Sequence, residues 1–226
     1  MNLIELTWSW LSDPEQWSGS AGIPMRILEH LEYSGLTMLI AVVLAVPLGA
    51  AIGHTGRGAA AVIGAAGALR ALPTLGLLTL FSLLMGLGLV PPLLALVILA
   101  VPPILSAACV GVAEVSPRVR DAVIAQGMTP WQVLTRVELP LAVPVIMGGV
   151  RNAALQVIST TTVAAYINLG GLGRYLIDGL AVRDYGRMLG SVLLVAVLAL
   201  LVDALLSLLQ RGLTSPGIRR PEGGTP

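Results

Sequence analysis

A chain of 226 residues that is 56% hydrophobic and 11% charged, with mean hydropathy +0.89, lacks the polar surface to cover itself in water. Soluble domains carry about a quarter charged residues, so the composition excludes a soluble enzyme and places the chain in a bilayer. The net charge of +1 leaves no footprint for nucleic acid, and the single cysteine, Cys109 in an apolar run, excludes an intrachain disulfide.

Residues 1–33 lack the basic start of a secretory signal, and Glu5 interrupts their apolar run. Leu3, Ile4, Trp8 and Leu11 share one helical face, with Trp10 and Trp17 close by. That pattern predicts a helix lying in the membrane interface, with its indoles at headgroup level; a disordered tail is the other reading. Ser34 to Gly53 is the first expected span, and Gly49 with Gly53 forms a small-xxx-small pair for close helix contact. His54, Gly56, Arg57 and Gly58 make a polar turn in which His54, with no second metal ligand nearby, reads as a lone interfacial side chain. Ala59 to Gly88 is too long for one straight span, and Pro73 is expected to kink or break it. Arg70 in this apolar setting reads either as a functional residue or as a snorkelling or bundle-buried side chain. Pro91 to Ala113 is the next span, bent by Pro102-Pro103.

The long polar interruption runs from Val115 to Pro140, VSPRVRDAVIAQGMTPWQVLTRVELP. Ser116-Pro117 reads as an N-cap and first helical residue, and Gly127 as the residue of positive φ that ends that helix. Thr129 and Pro130 open a second helix, Thr129 with Gln132 has capping-box spacing, and Leu139-Pro140 is expected to close it. Trp131, Val133, Leu134 and Val137 are too apolar for a purely solvated loop. Some can pack on the chain's own spans, and a surplus needs a partner. From the residues alone, a capped connection and a docking element fit equally.

Leu141 to Tyr166 is a span with unusual polarity, carrying Arg151, Asn152, Gln156, Ser159, Thr160, Thr161 and Thr162. Asn152, Gln156 and Ser159 fall at i, i+4 and i+7, on one helix face. Polar side chains are costly against lipid, so this face is expected to look into the bundle, either lining a path or bonding helices together. In the polar connection 167–185, Gly170-Gly171-Leu172-Gly173 allows a sharp turn or re-entrant bend; no Lys-Ser/Thr follows, so it is no phosphate loop. Gly186 to Leu209 is the last span, with Asp203 expected to pair with an arginine or reach the interface. Arg211 to Pro226 is basic, rich in Pro and Gly, and expected to be a flexible tail.

The sequence therefore predicts an all-α membrane bundle of about five transmembrane helices. Residues 1–33 form an interfacial segment, 34–210 a membrane domain holding the hairpin 115–140, and 211–226 a tail. With the amino end outside, the inner side holds Arg57, Arg118, Arg120, Arg136, Arg211, Arg219 and Arg220 against Arg26, Arg174, Arg183 and Arg187 outside, which favours a hairpin and carboxyl end inside. No Walker A sequence, His/Cys metal cluster or Gly-x-Ser-x-Gly appears, so no catalytic, metal or cofactor site is expected. If the chain serves a pump, the energy enters through the hairpin.

The hairpin resembles the EAA loop of ABC-importer permeases: Glu-Ala-Ala, three residues, Gly, nine residues, Ile, one residue, Leu-Pro. Here Asp121-Ala122-Val123 is followed after three residues by Gly127, and after nine more by Val137, Glu138 and Leu139-Pro140. The departures are Asp for Glu, Val for the second Ala and Val for Ile. The resemblance runs from about Leu36 to Leu209. Within the group, GMTPWQVLTRVELPLAVPVIMGGVR at 127–151 and LGGLG at 169–173 look most like the osmoprotectant branch, which takes up glycine betaine, choline or carnitine. Arg70-Ala71-Leu72-Pro73 matches that branch's Gln-Thr-Ile-Pro-like stretch only at the proline.

The resemblance implies a type I importer permease in a bacterial plasma membrane. The implied partners are two cytoplasmic ABC ATPases, a second permease chain, copy or paralogue, and an extracytoplasmic solute-binding protein. It implies ATPase coupling by Asp121, Ala122, Gly127, Thr129, Trp131, Val137, Leu139 and Pro140. The residues themselves, rather than the resemblance, make Arg70, Pro73, Asn152, Gln156, Ser159 and Thr160 the expected translocation path, while the glycine run resembles the family's outer-mouth pattern and implies an outer gate loop at Gly170, Gly171 and Gly173. Methionine-type permeases share this architecture, and a self-contained channel or secondary transporter built on Arg70 and Gln156 is the reading from another class. With one Phe and 4% aromatic residues, a cation-π cage for a quaternary ammonium solute is expected on the separate binding protein.

Overall fold

The computed structural model describes residues 2–214, except for the side chain of Arg70. Helix α1 (Leu3–Ser12) opens with a capping box, in which Asn2 Oδ1 accepts from the Glu5 amide at 2.8 Å and Glu5 Oε2 accepts from the Asn2 amide at 3.1 Å. A 3₁₀ turn, Pro14–Trp17, leads to α2 (Ile23–Thr55), α3 (Ala59–Arg70), α4 (Thr74–Met85), α5 (Val90–Ala113), α6 (Pro117–Ala125) and α7 (Pro130–Val133). A π turn, Leu134–Glu138, joins α7 to α8 (Leu139–Ala164), and a 3₁₀ turn, Ala165–Ile167, precedes α9 (Gly173–Val182) and α10 (Tyr185–Leu213).

Among the described residues, four continuous helical segments are long and apolar enough to cross a membrane, Ile23–Thr55, Val90–Ala113, Pro130–Ile167 and Tyr185–Leu213; the pair α3–α4 is apolar enough only when its halves are taken together, and it bends by 86°, the form of a broken span or a re-entrant segment. The bend falls at Pro73, which sits extended (φ −68°, ψ 114°) as the residue before α4. Proline has no amide hydrogen to continue a helix and biases the preceding residue away from helical geometry.

Four expectations need correction. The helix that carries the first span begins at Ile23, upstream of the expected Ser34, because Pro24 fits the first turn of a helix and Ile23 is fully buried. Leu139-Pro140 does not end the second hairpin helix. The Leu139 amide bonds five residues back to the Leu134 carbonyl, and this wider turn takes Pro140 into the first turn of α8, where its missing hydrogen matters least. The connection 167–185 contains α9, anchored by buried Tyr175, whose ring meets Trp10 edge-on at 5.1 Å and lies 5.2 Å below the Arg187 guanidinium. Finally, α10 runs to Leu213, inside the stretch expected to be tail, and residues 215–226 lie outside the described residues.

The centre is built from α2, α5 and α8. Ala41, Ala45, Ala100, Ala108, Ala142 and Ala153 pack there with Ile104, Val112 and Val157. Helices in lipid gain no hydrophobic drive from meeting each other, so close van der Waals contact between small residues has to hold them. Gly49 and Gly53 fit this role as expected: a Cβ on either would lie 2.5 Å from the Leu105 carbonyl oxygen or 2.4 Å from that of Cys109. Helix α10 sits at the edge and exposes Leu200, Leu201, Leu205, Leu208 and Leu209, an apolar belt.

Candidate functional site

The hairpin is a locked turn between two helices. Gly127 has φ +87°, its amide bonds to the Ile124 carbonyl at 2.9 Å, and the Met128 amide bonds to Val123 at 3.2 Å. These two bonds form a complete Schellman motif, which needs the left-handed residue that glycine supplies. Thr129 and Gln132 form the expected capping box, at 3.4 Å and 2.9 Å, whereas Ser116 makes no side-chain cap bond. Val133 and Leu134 are buried in the chain's own core, and Val137 and Leu139 are half-buried. Trp131 is 72% exposed and Ile124 55%, beside exposed Asp121, Ala122, Thr129 and Pro140. The apolar surplus is therefore led by Trp131 and Ile124, with Val119 less exposed beside them, on a tip facing away from the spans' core.

Beneath this tip lies a group that the sequence reading missed. Glu138 is 1% exposed, yet it is a carboxylate. Its Oε2 accepts from His54 Nδ1 at 2.6 Å, and Arg120 Nε lies 2.6 Å from its Oε1. Arg120 also donates through Nη2 to the Val112 carbonyl at 2.6 Å. The signal was present: Leu134, Glu138 and Ala142 recur every four residues on one buried face, so the carboxylate had to face inward against a cation. His54, expected to be a lone interfacial side chain, is one of its two partners.

On α8 the structure brings Asn152, Gln156, Ser159 and Thr160 together, but not where expected. Asn152 and Ser159 are exposed, Gln156 and Thr160 half-buried, on a stripe continuing from Val145 and Gly148 to Val163 and Tyr166. The stripe faces out of this chain's bundle, because the opposite face, Ala153, Ala154, Val157 and Ile158, fits closely against the core. Thr161, in contact with Ser34 Oγ at 3.2 Å, bonds α8 to α2. The Ser159 and Thr160 hydroxyls donate to the carbonyls of Leu155 and Gln156 within α8, at 2.9 Å and 2.7 Å. Pro73 marks the α3–α4 corner; Arg70 ends α3, and its side chain lies outside the described residues.

The glycine loop is a tightly filled corner. Gly171 (φ +78°) donates its amide to Glu29 Oε2 at 2.7 Å, and a Cβ on Gly173 would lie 2.2 Å from the Thr162 carbonyl oxygen. Leu172 is fully buried, and its carbonyl accepts from Ser191 Oγ at 2.7 Å. Gly170 lines an open cavity of about 370 Å³ together with Glu32, Tyr33, Leu89 and Asn168. The loop thus joins α2, α8 and α10 at the end of the molecule opposite the hairpin.

Residues 41–215 match the family model described as binding-protein-dependent transport system inner membrane component. The chain is 36% identical over 191 residues to the glycine betaine/carnitine/choline transport system permease protein OpuCB of Bacillus subtilis, covering 84% of this chain and 88% of that one. It is also 36% identical over 196 residues to the osmoprotectant import permease protein OsmW of Salmonella typhimurium, covering 84% and 91%. Among solved structures, an inward-facing form of the MetNI methionine ABC transporter superposes with TM-score 0.75 at 20% identity, over 90% of this chain and all of that one. At that identity the likeness shows a shared fold, that of type I importer permeases.

Proposed function

Because the chain belongs to the family of binding-protein-dependent transport system inner membrane components, we propose that it is the permease subunit of an ATP-driven importer for a small osmoprotectant of the glycine betaine, choline or carnitine class. The relatives named for those solutes support the solute class. Cytoplasmic ABC ATPases supply the hydrolysis, an extracytoplasmic binding protein delivers the solute, and a second permease chain completes the path. The single observation that carries the coupling is the hairpin: a rigid turn with Trp131 and Ile124 turned outward, continuous through the π turn with the helix bearing the polar stripe.

A force applied at the hairpin reaches α8 along one unbroken helical segment, Pro130–Ile167. Tilting that segment moves Asn152, Gln156, Ser159 and Thr160 together, which is what alternating access requires of a path lining. The arginine count supports a cytoplasmic hairpin with the amino end outside. The test is reconstitution with the ATPase, the second permease and the binding protein in proteoliposomes. Uptake of glycine betaine, choline or carnitine that depends on both ATP and binding protein supports the reading. ATP-independent flux by this chain alone overturns it.

A further inference from the structure

We infer that Glu138 is a positioning residue for transport: its carboxylate ties the ATPase-facing hairpin to the inner end of α2, so that α2, α6 and α8 move as one body. The inference rests on the reading of the hairpin as the coupling element.

The register of α7 and α8 calls for an apolar side chain at this position. Leu134 and Ala142 flank Glu138 on the same buried face, and a leucine there would avoid the desolvation of a carboxylate. Buried ion pairs are often no more stabilising than hydrophobic residues of similar volume, so stability alone is a poor account of the carboxylate. Its geometry is specific. The two oxygens are divided between two elements: Oε1 faces Arg120 on α6, and Oε2 accepts from His54 in the last turn of α2. Arg120 reaches on to the carbonyl of Val112 near the end of α5. Four helical elements thus converge on one buried group.

Mechanics gives this convergence a consequence. The chain passes from α6 to α7 only through the exposed Gly127 turn, where a Cβ would meet nothing within 4 Å. Without a second tie, the two backbone hydrogen bonds at that turn would be the chief brace between α6 and α7. Arg120–Glu138 bridges the turn from inside and stiffens the hairpin. His54–Glu138 then carries the same displacement to α2, which packs along α5 and also touches α8. Covalent continuity reaches α5 on one side of the hairpin and α8 on the other; the carboxylate adds a polar tie to α2.

The test uses the whole reconstituted complex and measures ATP hydrolysis and solute uptake in parallel, with glycine betaine, choline and carnitine as probes. Glu138→Gln keeps the shape and removes the charge, while His54→Ala cuts only the arm to α2. Both are expected to assemble and hydrolyse ATP, with solute moved per ATP falling at least about tenfold. His54→Asn, whose amide can donate from nearly the position of Nδ1, is expected to restore most of the ratio. A purely structural role would lower assembly and leave the ratio unchanged. An unchanged solute-to-ATP ratio in His54→Ala overturns the inference, whether or not Glu138→Gln assembles. Absence of ATP-dependent uptake in the wild-type complex removes the underlying reading instead, and this inference with it.

Discussion

Arg151 and Asp203 face each other in parallel, Nε to Oδ1 and Nη2 to Oδ2, each at 2.8 Å, and fasten α8 to α10. Gln210 extends the cluster, accepting from Arg151 Nη1 at 3.3 Å and donating to the Pro144 carbonyl at 3.1 Å. No described residue of α10 beyond Leu198 is buried, so this cluster is the chief polar hold on the second half of that helix. Removing one member of such a pair strands the other charge, whereas removing both does not. Asp203→Ala is therefore expected to lower the recovered folded protein several-fold, and Arg151→Leu with Asp203→Leu to restore most of it. Size-exclusion yield from detergent extracts of matched cultures decides between them.

The α2–α5 contact gives the second prediction. Gly49→Ala would place a Cβ 2.5 Å from the Leu105 carbonyl oxygen, so the two helices must separate, whereas a Cβ on Gly35 in the same helix meets nothing within 4 Å. Overfilling a close-packed contact costs about 1–3 kcal/mol. Replacing an unhindered helical glycine gains roughly 0.5–1 kcal/mol. The two substitutions should shift the thermal midpoint of the purified chain in opposite directions.

Much of this fold was legible because its signals are local. The Thr129–Gln132 capping box, the left-handed Gly127 and the break at Pro73 each depend on a few adjacent residues. The π turn was not legible, because a Leu-Pro pair locally signals a helix end; only the burial of Leu134 and Glu138 on one side makes continuation worthwhile. Helix α9 was hidden by the flanking glycines, although Arg174 and Asp178 stand at the i, i+4 spacing of a helical ion pair, 2.9 Å apart in the structure. The outward turn of the α8 stripe was misjudged because polarity within a span says that lipid is avoided, not which chain covers it. The partnership of His54 with Glu138 bridges 84 residues, and no periodicity reports a contact of that range.

Gly127 gives a test that separates backbone from side chain. With open space around it, its cost of substitution is conformational: a left-handed residue other than glycine costs about 1–2 kcal/mol, least for asparagine. Gly127→Asn should keep ATP-dependent uptake near that of the wild type. Gly127→Val should leave the chain inserted but lower uptake several-fold, with ATP hydrolysis less affected. Equal uptake by the two variants would detach the turn geometry from coupling.

Trp131 makes no contribution to the chain's own core at 72% exposure, so its loss should leave the isolated chain's stability unchanged. At a protein interface a central tryptophan is worth about 2 kcal/mol or more. Trp131→Ala is therefore expected to weaken ATPase association at least about tenfold, read by titrating the purified ATPase against the permease in nanodiscs. Val133→Ala, at a residue that is 2% exposed, should do the reverse, lowering stability first.

The α8 stripe poses the remaining question, whether Asn152 and Ser159 meet water or lipid. Both are exposed in this chain, as is Leu205 on α10 at 65%. Exposure to solvent alone cannot separate a path from a lipid face, but thiol chemistry can: a charged methanethiosulfonate reacts with the thiolate, which forms only where water reaches. The native Cys109 is 1% exposed, so the wild-type background should be low. In the assembled complex, Ser159→Cys and Asn152→Cys are expected to be labelled at rates well above that of Leu205→Cys, with the rates changing when a non-hydrolysable ATP analogue is added. Ser159→Ala should transport normally, since that hydroxyl already donates to the Leu155 carbonyl within its own helix. Labelling at Leu205→Cys equal to that at Ser159→Cys, or silence at both stripe positions in every nucleotide state, would mean that the stripe lines no aqueous path and is sealed against another chain.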